Sequence, residues 1–239
     1  MTTRLKPRLK ALARLGWSKS RRTRSRIMAA TSRVGERYEL DWLVYNPLVI
    51  AYYHEEALAS APVVADTFAA VFPDAESFVD VGAGTGAFAA ELARRGRSVV
   101  ALERSRVGRF IGRRQGVAMS TLDLERSAQR GFATADVAYC FEVAEHVRPE
   151  LADFLVSLLA NTAPIVVFTA APPGQGGSGH VNEQPAEYWI AKFADDGMTH
   201  RPDLEARVSA GFATAHSPWL AANVRVFVRL PGSAGPRGA

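Results

Sequence analysis

The stretch that decides the fold is FVDVGAGTGAFAAELARRG, residues 78–96. It opens on apolar residues interrupted by Asp80, which predict a buried strand, and continues into a turn with three alternate glycines. Residues 87–95 then carry apolar side chains at helical spacing and end at Gly96. A strand, a glycine turn and the unpaired N–H groups of a helix start predict a site for some kind of nucleotide.

The same alternation of strand and helix extends along the chain. Continuously apolar segments predict further strands at residues 98–103, 117–124, 135–141, 163–171 and 223–230, and helices at 150–162 and 186–197. This order indicates an α/β fold with a mostly parallel sheet, whose ligands lie at the carboxyl ends of the strands. Residues 38–72 predict two or three short helices, broken at Asn46-Pro47 and near Ser60.

Charge is distributed unevenly. Ten of the 29 Lys and Arg residues lie within residues 1–26, which contain no acid, so the remainder holds 19 basic and 24 acidic residues. We therefore expect a basic, poorly ordered tail at 1–30, a domain at 31–230 with a helical cap at 31–74 and a core at 75–230, and a disordered tail at 231–239. The basic tail is suited to RNA or to peripheral contact with an anionic membrane.

Composition narrows the class of protein. The single cysteine, Cys140, excludes an internal disulfide and a cysteine-based zinc site. The sequence has neither an apolar run long enough for a transmembrane helix nor a signal-peptide core, which predicts a cytoplasmic location. Its Ala- and Arg-rich composition is typical of a GC-rich bacterial source.

Acidic residues stand where four predicted strands end. These are Asp80, Glu103, Asp123 and Glu142. An acid-rich crevice suits a cationic ligand with a free amino group, a ribose diol and an adenine amine. The alternative is a nicotinamide dinucleotide and an oxidoreductase, because GAGTGA also fits the dinucleotide fingerprint. We disfavour that alternative, since an anionic pyrophosphate is poorly placed among carboxylates.

The motifs VDVGAGTG, ALE, LDL and ADVAYCFEVAEHV, in this order, resemble those of the class I S-adenosylmethionine-dependent methyltransferases. The resemblance implies a Rossmann-like, seven-stranded sheet with a reversed last hairpin. It also implies that the glycine turn lines the methionine moiety, Glu103 the ribose and Asp123 the adenine, with Asp80 near the ammonium end. The full set of implied cofactor-binding residues is Asp80, Gly82, Ala83, Gly84, Gly86, Glu103, Asp123, Leu124 and Glu142.

The segment EVAEH places Glu142, Glu145 and His146 at i, i+3 and i+4, on one side of the chain if it turns helical. Such a set can bind Mg²⁺ or another divalent cation, with His180 of the loop at 172–184 as a fourth ligand. The arrangement is similar to that of ubiquinone-pathway O-methyltransferases acting on catechols and of small-RNA 3′-terminal 2′-O-methyltransferases. By that resemblance these four residues are metal ligands, and His146 and His180 are also catalytic candidates. The open alternative is that Glu145 caps, His146 packs and His180 secures its loop.

These observations predict O-methylation of a hydroxyl on a small molecule, such as a saccharide, a glycolipid precursor or a catechol-like ring. The alternative is an RNA 2′-O-methyltransferase that holds its substrate through the basic tail. An Asn-Pro-Pro-Tyr motif, linked with methylation of amino groups, is absent after the fourth predicted strand. Tyr52, Tyr53 and His54 either line the acceptor pocket or belong to the core or surface.

Overall fold

A computed structural model describes residues 47–124 and 134–230. The predicted basic tail, residues 31–46 of the predicted cap and the tail at 231–239 lie outside these ranges. The sheet and its flanking helices lie in one compact unit, whose described residues are 53–124, 134–176 and 180–230. Residues 47–52 and 177–179 belong to a second unit. Within the part of the chain that the structure describes, none of the helices is long and apolar enough to cross a membrane.

The described residues contain seven strands and seven α-helices. The strands are β1 (Ser77–Val81), β2 (Ser98–Glu103), β3 (Ala118–Thr121), β4 (Val137–Phe141), β5 (Ile165–Thr169), β6 (Thr199–His200) and β7 (Arg225–Val228). The helices are α1 (Pro47–Val71), α2 (Ala87–Arg94), α3 (Arg106–Arg114), α4 (Ala152–Thr162), α5 (Ala186–Asp195), α6 (Pro202–Phe212) and α7 (Trp219–Asn223). Two 3₁₀ turns, Ala144–His146 and Pro149–Leu151, connect β4 to α4.

The strands form one sheet in the order β3-β2-β1-β4-β5-β7-β6. The five strands from β3 to β5 are parallel, and β7 runs antiparallel to both of its neighbours. This confirms the predicted Rossmann-like sheet with a reversed last hairpin. The sixth strand, β6, has only two residues, and α6 follows it with Pro202 in its first turn.

The helix before the glycine turn is continuous, so the predicted break near Ser60 is wrong. Pro62 removes one backbone hydrogen bond, but its ring lies on the exposed side of α1. Packing on the opposite side holds the helix together, since Phe68 is fully buried and contacts the rings of Phe78, Tyr139 and three other aromatic residues. Burial of the opposite side of the helix outweighs the tendency of proline to break it.

The sheet is buried on both faces, as a parallel sheet flanked by helices must be. Along β4, Ala138 and Cys140 belong to the cluster that includes residues of α4 and α5, whereas Val137 and Tyr139 belong to the one that includes residues of α1 and α6. The side chains alternate because strand residues point to opposite faces. The carboxyl ends of β2, β1 and β4 are therefore fixed side by side.

Helix α3 approaches the glycine turn closely, and a glycine permits the contact. A Cβ atom on Gly108 would overlap the backbone carbonyl of Gly84 and would lie 3.2 Å from the Cγ of Glu103. One turn later, a Cβ on Gly112 would lie 2.6 Å from the Sδ of Met119, which is the flexible part of a side chain. Only the first contact is with rigid backbone, so the position of the glycine turn depends on Gly108.

We expect Gly108→Ala to lower the free energy of unfolding by about 1–3 kcal/mol, because overpacking displaces the backbone of the glycine turn. Chemical denaturation measures the change. Gly112→Ala is the matched control, since the side chain of Met119 can move away, and its loss should be smaller. Wild-type stability of Gly108→Ala would contradict this account of the contact.

Candidate functional site

The glycine turn joins β1 to α2 at the carboxyl edge of the sheet. Gly82, Gly84 and Gly86 have φ values of 80°, 54° and 74°, which side chains rarely adopt. Gly82 also has no room for a Cβ beside Val143, whereas a Cβ on Gly84 would meet nothing within 4 Å. The N–H groups of Gly82 and Ala83 donate to the carbonyl of Leu102 at 2.8 and 3.0 Å, which anchors the start of the turn.

Glu103, the last residue of β2, faces this turn. Its carboxylate accepts hydrogen bonds from the N–H groups of Gly84 (2.7 Å) and Ser105 (2.5 Å). Burial raises the pKa of the Glu103 carboxyl, against the lowering effect of these backbone donors. Glu103, which is half-buried, therefore connects the end of β2 to the glycine turn.

Asp80, two residues before the turn, is buried. Its Oδ2 atom has no hydrogen-bond partner among the described residues. Burial is the main cause that raises the pKa of Asp80 to about 8; the neighbouring Tyr139 hydroxyl lowers the pKa and the Glu103 carboxylate raises it further. A cationic ligand beside these two acids would favour their charged forms.

The third predicted acid lies beyond the neighbouring strand. β3 pairs with β2 in a register that sets Thr121 opposite Glu103, so Asp123 follows two residues beyond that pair. Asp123 and Leu124 are both half-buried, and the described chain stops after them. The structure thus brings Asp80, Glu103 and Asp123 to the ends of three adjacent strands.

A histidine from α1 contacts the glycine turn. His54 Nδ1 lies 2.7 Å from the hydroxyl of Thr85, whose carbonyl accepts a hydrogen bond from the Gln115 side chain at 2.8 Å. Burial lowers the pKa of His54, with Glu55 opposing, which favours a neutral ring. The sequence offered His54 only as one of three possible pocket residues. Nothing in the chain order indicates its contact with Thr85, which is 31 residues away.

A second cluster of ionisable side chains follows β4. Glu145, His146 and His180 each present a ligand atom, and these atoms lie within 4.8 Å of one another. The rings of His146 and His180 meet edge to face, with their centroids 4.9 Å apart. We call these three residues the Glu-His-His cluster. Its spacing and composition allow it to hold a metal ion.

Glu145 is the most constrained member of the cluster. Its side chain is fully buried, and neither carboxylate oxygen has a hydrogen-bond partner among the described residues. Burial, followed by the charge of Glu142, raises the pKa of Glu145 to about 8. The charged form of a carboxyl buried in this way is unfavourable without a cation, so the arrangement is suited to a bound ion.

Backbone contacts hold the loop of His180 against this cluster. The N–H groups of Val181 and Asn182 donate to the carbonyl of Glu145 at 2.8 and 3.0 Å. His180 Nδ1 also lies 2.8 Å from a carboxylate oxygen of Glu183. Sequence analysis did not single out Glu183, although its position three residues after His180 was a usable signal.

Glu142 is not part of the Glu-His-His cluster, although its charge acts on the neighbouring Glu145. It has a φ of 52°, the one positive value among the described residues other than glycine, and its carboxylate accepts from the side-chain amides of Gln175 (3.0 Å) and Asn223 (3.1 Å). The prediction that Glu142, Glu145 and His146 lie on one side of the chain assumed a helical turn from Glu142 onward. The left-handed residue and the 3₁₀ turn that begins at Ala144 direct Glu142 to other partners.

Comparisons with known proteins agree with this geometry. Residues 52–200 match a family model described as a methyltransferase domain. The amino pentose methyltransferase CalS10 of Micromonospora echinaspora has 20% identity and a TM-score of 0.55, covering 75% of this chain and 95% of its own. The sugar N-methyltransferase KedS8 of Streptoalloteichus has 17% identity and a TM-score of 0.54, covering 72% and 87%.

A third similar structure is magnesium protoporphyrin IX methyltransferase of Synechocystis, with 16% identity, a TM-score of 0.54 and coverage of 84% and 96%. No curated protein matches the sequence significantly. At these identities the similar structures support the fold, whereas the family model spans more than half of the chain. The chain belongs to the class I S-adenosylmethionine-dependent methyltransferases.

Proposed function

We propose that this methyltransferase transfers a methyl group to a hydroxyl of a polyhydroxylated small molecule, with a divalent cation in the Glu-His-His cluster. The observation that carries the proposal is Glu145, a fully buried carboxylate without a partner, next to two imidazoles that converge on it. Family membership supplies the methyl donor. The cluster supplies the reason to expect a hydroxyl as the acceptor.

The residues around the glycine turn fit the donor. S-adenosylmethionine carries a sulfonium and an ammonium, and the buried carboxylate of Asp80 and the half-buried one of Glu103 are suited to that positive charge. The open space over Gly84 lets a ligand approach the backbone closely. We assign Glu103 to the ribose diol, Asp80 to the ammonium end and Asp123 with Leu124 to the adenine. The donor supplies an electrophilic methyl group, and the protein orients both reactants.

The donor set of the Glu-His-His cluster indicates the class of metal. Two imidazoles and one carboxylate favour Mn²⁺, Fe²⁺, Co²⁺ or Zn²⁺, whereas Mg²⁺ favours sites made of oxygen atoms alone. We therefore propose Glu145, His146 and His180 as ligands and omit Glu142, which is engaged by two amides. A divalent cation held there would bind an acceptor hydroxyl and lower its pKa.

The acceptor class follows from the groups beside the cluster. Glu142, Gln175 and Asn223 together offer carboxylate and amide groups of the kind that bind several hydroxyls. Two similar structures are described as an amino pentose methyltransferase and a sugar N-methyltransferase, which is consistent with a saccharide-like acceptor. Oxygen is our choice over nitrogen because the cluster is suited to a hydroxyl. The RNA alternative depends on the basic tail, which lies outside the described residues.

Glu103→Ala should weaken S-adenosylmethionine binding by about 10- to 100-fold, because it removes charge-assisted hydrogen bonds to the ribose and to the glycine turn. Isothermal titration calorimetry measures the affinity. Glu91→Gln is the control, since Glu91 pairs with Arg94 and Arg95 on α2. An unchanged affinity in Glu103→Ala would refute the assigned role.

Asp80 should make the ligand-free protein less stable as the pH rises. Its folded pKa of about 8 exceeds the ordinary value of 3.8 for an aspartate, so between those values the unfolded state loses its proton while the folded state retains it. Stability should therefore fall over this window by on the order of a few kcal/mol, and Asp80→Asn should lack that part of the fall. Denaturation at a series of pH values tests this; parallel curves for the two proteins would contradict it.

Removal of divalent ions should abolish methyl transfer, and Mn²⁺ or Co²⁺ should restore it more effectively than Mg²⁺. The assay follows a labelled methyl group into saccharides, catechols and short RNA. Glu145→Gln should lose Mn²⁺ binding in calorimetry while it retains affinity for S-adenosylmethionine. Full activity after chelation would remove the metal from the proposal, and labelling of RNA alone would favour the second acceptor class.

A further inference from the structure

Glu183 lies at the centre of the hydrogen bonds that hold the loop of His180. Its carboxylate meets three nitrogen atoms at 2.8 Å each: His180 Nδ1 and the backbone N–H groups of Gly174 and Gly176. We infer that Glu183 is the positioning residue of the metal site, fixing the tautomer and orientation of His180. The inference rests on the proposed function, because it assigns Glu183 to the site proposed there.

The chemistry of the contact sets the tautomer. The Glu183 carboxylate already accepts from two backbone N–H groups and lies 2.8 Å from His180 Nδ1, so it is the acceptor for the Nδ1 proton. The Nε2 lone pair of His180 is then the one available to a cation. Histidine ligands of metal sites commonly donate their other ring N–H to a carboxylate in this way.

The same carboxylate organises the opposite side of the site. The backbone N–H groups of Gly174 and Gly176 donate to Glu183, and these two glycines flank Gln175. The side chain of Gln175 in turn donates to Glu142 at 3.0 Å. Glu183 thus positions a proposed ligand and also Gln175, whose amide donates to Glu142. The contact of Glu183 with His180 Nδ1 is the feature that a role in securing the loop does not require.

The loop does not depend on Glu183 alone. Val181 and Asn182 donate to the Glu145 carbonyl, and Asn182 is buried, so these backbone bonds keep His180 near the cluster in a Glu183 variant. Replacement of Glu183 should therefore change the tautomer and mobility of the ring more than the fold. This separation makes the inference testable in the intact protein.

The experiment compares wild type, Glu183→Ala and Glu183→Gln by two measurements. In metal-free protein at mildly alkaline pH, ¹⁵N NMR should show the Nδ1–H tautomer of His180 in wild type and a shift toward Nε2–H in Glu183→Ala. Calorimetry with Mn²⁺ should show affinity lowered by about 10- to 100-fold in Glu183→Ala, and less in Glu183→Gln, which keeps a neutral acceptor. Glu187→Gln, an exposed acid in the first turn of α5, is the matched control.

S-adenosylmethionine affinity should be equal in all four proteins, which shows that the fold is intact. An Nε2–H tautomer in wild type overturns the inference whatever the metal result. Wild-type Mn²⁺ affinity in Glu183→Ala also overturns it, while leaving the proposed function in place. Absence of Mn²⁺ binding to wild type overturns the metal-assisted function and the role of Glu183 together, so the failures are distinguishable.

Discussion

The hydrogen bonds from Gly84 and Ser105 to the carboxylate of Glu103 are the interaction on which the site depends. They join the end of β2 to the turn after β1, and so fix the backbone that a nucleoside-bearing ligand has to approach. The contact requires the missing Cβ of Gly108, because any larger residue of α3 would displace the turn. One acid and two glycines therefore establish the geometry around which the other acids are arranged.

Two buried carboxylates have oxygen atoms without partners among the described residues, one at each proposed ligand site. Asp80 lies in β1 beside the glycine turn, and Glu145 lies in the 3₁₀ turn after β4. Burial raises the pKa of each carboxyl to about 8, because it destabilises the charged form. A cation bound nearby would stabilise that form. We interpret both carboxyls as groups that a bound cation would stabilise: Asp80 by the cationic methyl donor, and Glu145 by a metal ion.

The sequence was sufficient for the parallel sheet, the glycine turn and the acids at the strand ends, because each follows from local patterns and from their order along the chain. It was insufficient where a tertiary contact decides. α1 continues past Pro62 because Phe68 is buried in an aromatic cluster that only the folded chain assembles. The contact of His54 with Thr85, and that of Gly108 with Gly84, joins residues whose separation in the chain carries no signal.

Glu142 shows how one backbone angle changes the chemistry expected of a motif. The E-x-x-E-H spacing predicts four ligands when His180 is added, yet the left-handed conformation of Glu142 directs its carboxylate to Gln175 and Asn223. Three protein ligands leave coordination positions open, as catalytic metal sites do, whereas four would tend to close the site. With a metal ion bound as proposed, neighbouring hydroxyls of one acceptor would suit those open positions. In the proposed function, the Glu142 carboxylate would help to select an acceptor with several hydroxyl groups.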